Sequence, residues 1–267
     1  MTSDIPGLTV AQGGSVLRIQ LNRPDKRNAI DDTMVAGLIN TIVEAGTDES
    51  VRVILLDGAG DHFCSGADIV KRNGGDGKRP RAGSIQRRLP AQAHRLIPVM
   101  LESQTPIVCA VRGWAAGIGM GLALAADVTV VADDARFWAP YCSRGFTPDA
   151  GVSWLLPRRI GEMRARRMLI LGEQIDGHRA AEWGLIERSV PSDAVTSEAE
   201  KVAGELAAGP TVALGLTKWL LHSGQSAPFD AHLRNEAFAM ELSSRSEDFR
   251  EGLSAFSNKR RAEFTGR

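Results

Sequence analysis

Cysteine is scarce: Cys64, Cys109 and Cys142 are far apart and odd in number, which excludes a disulfide framework and points to free thiols in a reducing compartment. Charge of one sign is also lacking. Lys+Arg and Asp+Glu both number 32, so no overall field recommends nucleic acid or a membrane surface as partner, and any anion site has to be local. The start, Met1-Thr-Ser-Asp-Ile-Pro, has no basic segment followed by an apolar run, and no stretch is long enough to span a bilayer. A cytoplasmic protein is the expectation. There is no low-complexity tract and no fixed-period repeat. His62 has no partner at metal-ligand spacing, so no metal is expected. No serine, histidine and acid stand in register for a peptidase.

What is present is a run of small residues. Pro106 to Val111 is short, apolar and bounded by Pro and Gly, as a buried strand should be. Gly113 ends it, and Gly117, Gly119 and Gly121 let backbone approach a ligand closely. Leu122 to Ala126 are good helix formers, so free N–H groups and the positive end of a helix dipole point back at the glycines. A developing oxyanion suits that place. The same pattern also describes close packing or a nucleotide turn, but the spacing is G-x-G-x-G rather than G-x-G-x-x-G, and no Walker lysine follows.

The 267 residues, 43% of them hydrophobic, suffice for one sizeable core with a helical appendage. Val16 to Leu21 alternates as a half-buried strand does and stops at Asn22-Arg-Pro-Asp-Lys-Arg-Asn28, a turn with three cations. Asp31 or Asp32 caps a helix that ends near Gly46, and Val51 to Asp57 reads as a strand covered on both faces. Ser65-Gly-Ala-Asp68 is a second place where small residues open a helix. Lys71 to Ser84 predicts a mobile loop, and Leu89 to Ser103 a helix. Val128 to Ala132 is a strand, Ala135 to Gly145 an irregular connection, and Thr147-Pro148 the cap and first residue of a helix with Asp149 in its first turn. Arg158 to Leu171 and Gly177 to Trp183 are helical, with a short strand in Gly184 to Val190. The rest is almost wholly helical, broken at Gly209-Pro210, and the passage from α/β core to helices falls near residues 190 to 200.

Leu21-Asn-Arg-Pro-Asp-Lys-Arg-Asn-Ala29, Ser65-Gly-Ala-Asp68 and Gly113-Trp-Ala-Ala-Gly-Ile-Gly-Met-Gly121, in this order and spacing, resemble the crotonase (enoyl-CoA hydratase/isomerase) superfamily. The resemblance runs from Leu17 to Phe256-Ser-Asn-Lys-Arg260. It implies an α/β fold, a spiral of ββα units over residues 1–195 holding a CoA-thioester site, and a helical trimerisation region over residues 196–267. Homotrimers, or hexamers as dimers of trimers, and an acyl-CoA substrate are implied with it. No cofactor is expected, since coenzyme A is part of the substrate. The N–H groups of Ala67 and Ile118 match those that hold the thioester oxygen. Lys26, Arg27 and Ala29, then Ser65, Asp68 and Ile69, then Gly117 and Tyr141, are the matching substrate-binding positions, with Lys259 and Arg260 as further candidates for the phosphates.

Two departures bear on activity. Hydratases of this family use two glutamates to activate and position water, and the matching positions here are Gly121 and Tyr141. Asp149, in Thr147-Pro-Asp-Ala-Gly-Val-Ser-Trp-Leu-Leu-Pro157, stands where several enoyl-CoA isomerases and the epoxide isomerases of phenylacetate breakdown carry their acid. The expected activity is therefore a double-bond shift from 3-enoyl-CoA to 2-enoyl-CoA with Asp149 as single base. The alternatives are a hydratase with a non-standard water site and a decayed acyl-CoA-binding protein.

Overall fold

The computed structural model describes residues 2–69 and 81–267. The loop expected from Lys71 to Ser84 lies outside the described residues except for its last positions. In chain order the elements are β1 (Thr2–Ile5), β2 (Leu8–Gly13), β3 (Val16–Leu21), α1 (Asp32–Ala45), β4 (Val53–Gly58), α2 (Ser84–Arg88), α3 (Ala93–Glu102), β5 (Ile107–Val111), β6 (Trp114–Ala116) and α4 (Ile118–Ala125). They continue with β7 (Val128–Ala132), β8 (Arg136–Trp138), α5 (Val152–Ile160), α6 (Glu162–Ile170), β9 (Ile175–Asp176), α7 (Gly177–Glu182) and β10 (Ser189–Val190). Four helices close the chain: α8 (Val195–Ala207), α9 (Thr211–Ser223), α10 (Phe229–Ser243) and α11 (Glu247–Ser257).

One sheet runs β1-β2-β3-β4-β5-β7-β10, antiparallel through β3 and parallel beyond it. A smaller sheet runs β6-β8-β9. The recurrence of strand, strand, helix is thus β5, β6, α4 and then β7, β8, α5. In β3 every second residue, Leu17, Ile19 and Leu21, is fully buried, while every residue of β4, which lies between β3 and β5, is buried. Asp57 in that strand is held by Arg18, whose Nε donates to it at 3.1 Å. Asp31 is the cap of α1, accepting from the Met34 N–H at 3.0 Å.

Several expectations need correction. Strand β8 lies in the connection read as irregular, β6 in the run of small residues read as a turn, and the N-terminal hairpin β1–β2 in a stretch given no element; strands of three residues, such as β6 and β8, carry too little periodicity to be seen. The expected helix over Arg158–Leu171 is two helices hinged at Gly161, with φ 77°. The helix expected from Thr147 starts only at Val152, because Ala150 (φ 50°) and Gly151 (φ 70°) are left-handed and cannot continue a right-handed turn. Asp149 therefore precedes the helix, its carbonyl accepting from the Val152 N–H at 3.2 Å.

The first two helices after residue 195 are fastened to the sheet. α8 lies across β3, β4, β5 and β7 and contributes Val195, Ala199 and Ala203 to the common core. Lys218 of α9 is 8% exposed and donates to the Asp127 carboxylate at 2.8 Å and the Thr105 carbonyl at 3.2 Å. Burial lowers the Lys218 pKa, and the Asp127 charge opposes that shift. Removing one partner of a buried pair strands the other, so Lys218→Ala is expected to destabilise the protein in urea unfolding by about 2 kcal/mol, toward the low end because Asp127 stays partly in water. A change below about 0.5 kcal/mol would show the pair to be neutral.

Candidate active site

The site forms where β4 and β5 end. Beyond β4 the chain passes through Cys64 to Ala67, and beyond β5 through β6 to Gly117. The two segments run side by side: Cys64 bridges Ala115, the Cys64 N–H donates to the Trp114 carbonyl at 2.7 Å, and the Ala116 N–H donates to the Cys64 carbonyl at 2.9 Å. Gly66 and Gly117 face each other so closely that a Cβ on Gly117 would stand 3.8 Å from the Gly66 Cα. Gly117 has φ 54°, and its N–H is held by the Trp138 carbonyl at 3.0 Å, which turns the chain into α4 with Ile118 as first residue.

Among the described residues no group accepts from the N–H of Ala67 or of Ile118. For Ile118 this follows from its place in the first turn of α4, where the helix dipole adds positive potential. Ala67 differs from expectation. It does not itself begin a helix but bridges Ile30, and Ile69 is the helical residue. The bridge uses the Gly66 carbonyl and the Asp68 N–H, leaving the Ala67 N–H outside the ladder.

The loop after β3 docks on the first of these segments. Asn28, fully buried with φ 55°, donates to the carbonyls of Ala59 and His62 at 2.9 and 2.6 Å and accepts from the Arg23 N–H at 2.8 Å. Asparagine tolerates this left-handed backbone better than most residues. The Ser65 N–H donates to the Arg27 carbonyl at 2.9 Å, and the Ser65 hydroxyl to the Lys26 carbonyl at 3.3 Å. Arg23 was counted in the sequence only as one of three loop cations. It donates to the Ala29 carbonyl at 2.8 Å and to the Asp68 carboxylate at 2.9 Å, tying the loop to the residue next to Ala67. Lys26 and Arg27 remain exposed, with the Lys26 ammonium 3.9 Å from Asp68.

On the other side stand Asp149 and Tyr141. Asp149 is half-buried, and Tyr141 is 2% exposed with its hydroxyl donating to the Asp149 carbonyl at 3.4 Å. Burial, and then the nearby Asp149 carboxylate, push the Tyr141 phenol up, so it keeps its proton at neutral pH. Cys64 also stays protonated, its thiol pushed up to about 12 by burial. It is a packing residue, and a Cβ on Gly119 would meet its Cβ at 2.6 Å.

Gly121, inside α4, has no room for a side chain. A Cβ there would stand 2.7 Å from the Ala150 carbonyl oxygen and 3.4 Å from the Ala150 Cβ. No signal in the sequence marked Ala150, because its effect arises only when its segment packs on α4.

The structure therefore brings together Lys26, Arg27, Ala29, Ser65, Ala67, Asp68, Ile69, Gly117, Ile118, Tyr141 and, through Tyr141, Asp149. Lys259 is not joined to them by any hydrogen bond or ion pair among the described residues; it follows α11 with φ 53°. Arg260 is held in a two-pronged pair with Glu251, at 2.5 and 2.7 Å. The tail beyond them reaches Arg52, before the start of β4, which donates to the Phe264 carbonyl at 3.3 Å.

Comparison with known proteins agrees with this geometry. The family model described as enoyl-CoA hydratase/isomerase matches residues 11–267. The 1,2-epoxyphenylacetyl-CoA isomerase of Escherichia coli K12 is 38% identical over 94% of this chain and 95% of its own length. The 2,3-dehydroadipyl-CoA hydratase of the same organism is 33% identical over 97% of this chain and 99% of its own. The crystal structure of an enoyl-CoA hydratase from Bacillus anthracis superposes with a TM-score of 0.90 at 28% identity, covering 98% of this chain and all of that one. A coverage this complete means that the chain belongs to the enoyl-CoA hydratase/isomerase family and has the crotonase fold.

Proposed function

We propose that this protein moves a carbon–carbon double bond in an acyl-CoA thioester, from 3-enoyl to 2-enoyl, with Asp149 as the single base. The observation that carries the proposal is the closed space at Gly121. With the Ala150 carbonyl 2.7 Å from where a Cβ would stand, and a protonated phenol at Tyr141, neither position offers a carboxylate to activate water. Asp149 remains as the acid-base group.

The reaction then follows from acidity. The thioester oxygen accepts from the N–H groups of Ala67 and Ile118, fixed donors that favour the charge developing there. The Asp149 carboxylate removes a proton from C2, and the electron pair of that C–H bond moves into the thioester as an enolate conjugated with the C3–C4 double bond. Protonated Asp149 returns the proton to C4 as the enolate collapses, leaving the double bond between C2 and C3. Composition is unchanged, and no water or redox partner enters. Lys26 and Arg27, exposed at the rim, serve the phosphates of the coenzyme, with Ala29 and Ser65 to Ile69 along its path; Lys259 and Arg260 join them from the helical region. Large apolar side chains exposed on α10 and α11, among them Phe229, Phe238, Leu253 and Phe256, support assembly into trimers or pairs of trimers.

The test is product identity. Given 2-enoyl- and 3-enoyl-CoA thioesters, with and without a phenylacetate-derived member, the protein is expected to turn the 3-enoyl compounds into conjugated products of unchanged mass. Products one water heavier would establish a hydratase. Thermal stabilisation by the thioesters without turnover would establish a binder.

A further inference from the structure

Tyr141 is the only tyrosine of the chain, and it sits at the junction of the two halves of the site. Its hydroxyl is 3.4 Å from the Asp149 carbonyl and 3.8 Å from the place a Cβ on Gly117 would occupy. One oxygen therefore bonds the segment bearing Asp149 and lies beside the turn that presents the Ile118 N–H. Its ring is fixed edge-on against Phe146, with centroids 5.6 Å apart and planes at 86°.

The segment bearing Asp149 needs such a hold. It is not part of α5, and two consecutive left-handed residues, Ala150 and Gly151, separate it from that helix. A left-handed alanine is strained by about 1 kcal/mol or more and persists only where its surroundings dictate it. Packing of Ala150 on Gly121 fixes one side of this segment, and the Tyr141 hydroxyl meets it at Asp149 itself.

We propose that Tyr141 is a positioning residue, whose hydroxyl fixes Asp149 relative to the Gly117–Ile118 turn so that one carboxylate reaches both C2 and C4 of the bound acyl group. The inference rests on Asp149 being the base. It differs from a packing role in one respect: a ring that only fills the core has no use for its hydroxyl. Because burial and the Asp149 charge keep the phenol protonated, it acts as a donor and does not compete with Asp149 for the substrate proton.

Tyr141→Phe keeps the ring and its contact with Phe146 and removes only the hydroxyl. Wild type, Tyr141→Phe and Asp149→Asn are compared on a 3-enoyl-CoA in deuterated water. Tyr141→Phe is expected to lower kcat about tenfold, the size of one lost hydrogen bond, with KM within about twofold. It should also carry more solvent deuterium into C4 per turnover, because a loosened base returns its original proton less faithfully. An inactive Asp149→Asn beside a Tyr141→Phe that matches wild type in kcat and label, or differs only in KM, would overturn the role of Tyr141 and leave the base intact. An active Asp149→Asn would remove both.

A second readout covers a variant that does not fold. Growth on 3-fluorotyrosine labels Tyr141 alone, so the protein gives a single tyrosine fluorine resonance. That resonance is expected to move in Asp149→Asn and again when an acyl-CoA is added; no movement in either case would overturn the proposal.

Discussion

Asp149→Asn is expected to lower kcat for the double-bond shift by about a thousandfold, the usual worth of a positioned acid-base group, while acyl-CoA affinity stays close to that of wild type. Asparagine has nearly the size of aspartate and keeps the backbone carbonyl that receives the Tyr141 hydroxyl, but it cannot carry a proton from one carbon to another. The donors at Ala67 and Ile118 are main-chain groups and survive the change, so exchange of the C2 proton against solvent is expected to be lost together with turnover. Following conjugated product and deuterium uptake in parallel checks both. Activity equal to wild type would mean that another group is the base.

The second large effect concerns Gly121. Placing a glutamate there, as in hydratases, is not expected to make a hydratase. Its Cβ would stand 2.7 Å from the Ala150 carbonyl and 3.5 Å from the Ile97 Cδ1, inside a helix whose residues are all buried. Forcing a side chain into such a place costs about 1–3 kcal/mol before the burial of a carboxylate is added. Relief requires the segment at 149–151 to move, and with it Asp149. Gly121→Glu is therefore expected to lose the double-bond shift, to form no hydrated product, and to melt about 6 °C or more below wild type. Gly121→Ala should lie between the two. A Gly121→Glu protein that melts like wild type and adds water would show that the space is available.

Much of the main sheet was legible in the sequence, because β3 alternates, β4 is continuously apolar and Asp31 caps α1. These are local patterns that the tertiary structure does not override. The smaller sheet was not legible, since Trp114–Ala116 and Arg136–Trp138 are strands by virtue of each other. Thr147-Pro148-Asp149 carries a good helix-start signal, yet the helix begins at Val152. What decides is the contact of Ala150 with Gly121, some thirty residues away in sequence, which no local signal contains. The turns bearing Ala67 and Ile118 could be located from glycine and small-residue spacing, but that the two segments lie side by side shows only in the bridge between Cys64 and Ala115. Arg23 looked like any loop cation because its partner, Asp68, is distant in sequence.

The fastening of the closing helices has a bearing on how the chain comes apart. With α8 inside the shared core and Lys218 anchored beside the start of β5, the helical part is not an independent foldon. Amides of α8 and of β5 should exchange with solvent at the same free energy, in one cooperative opening.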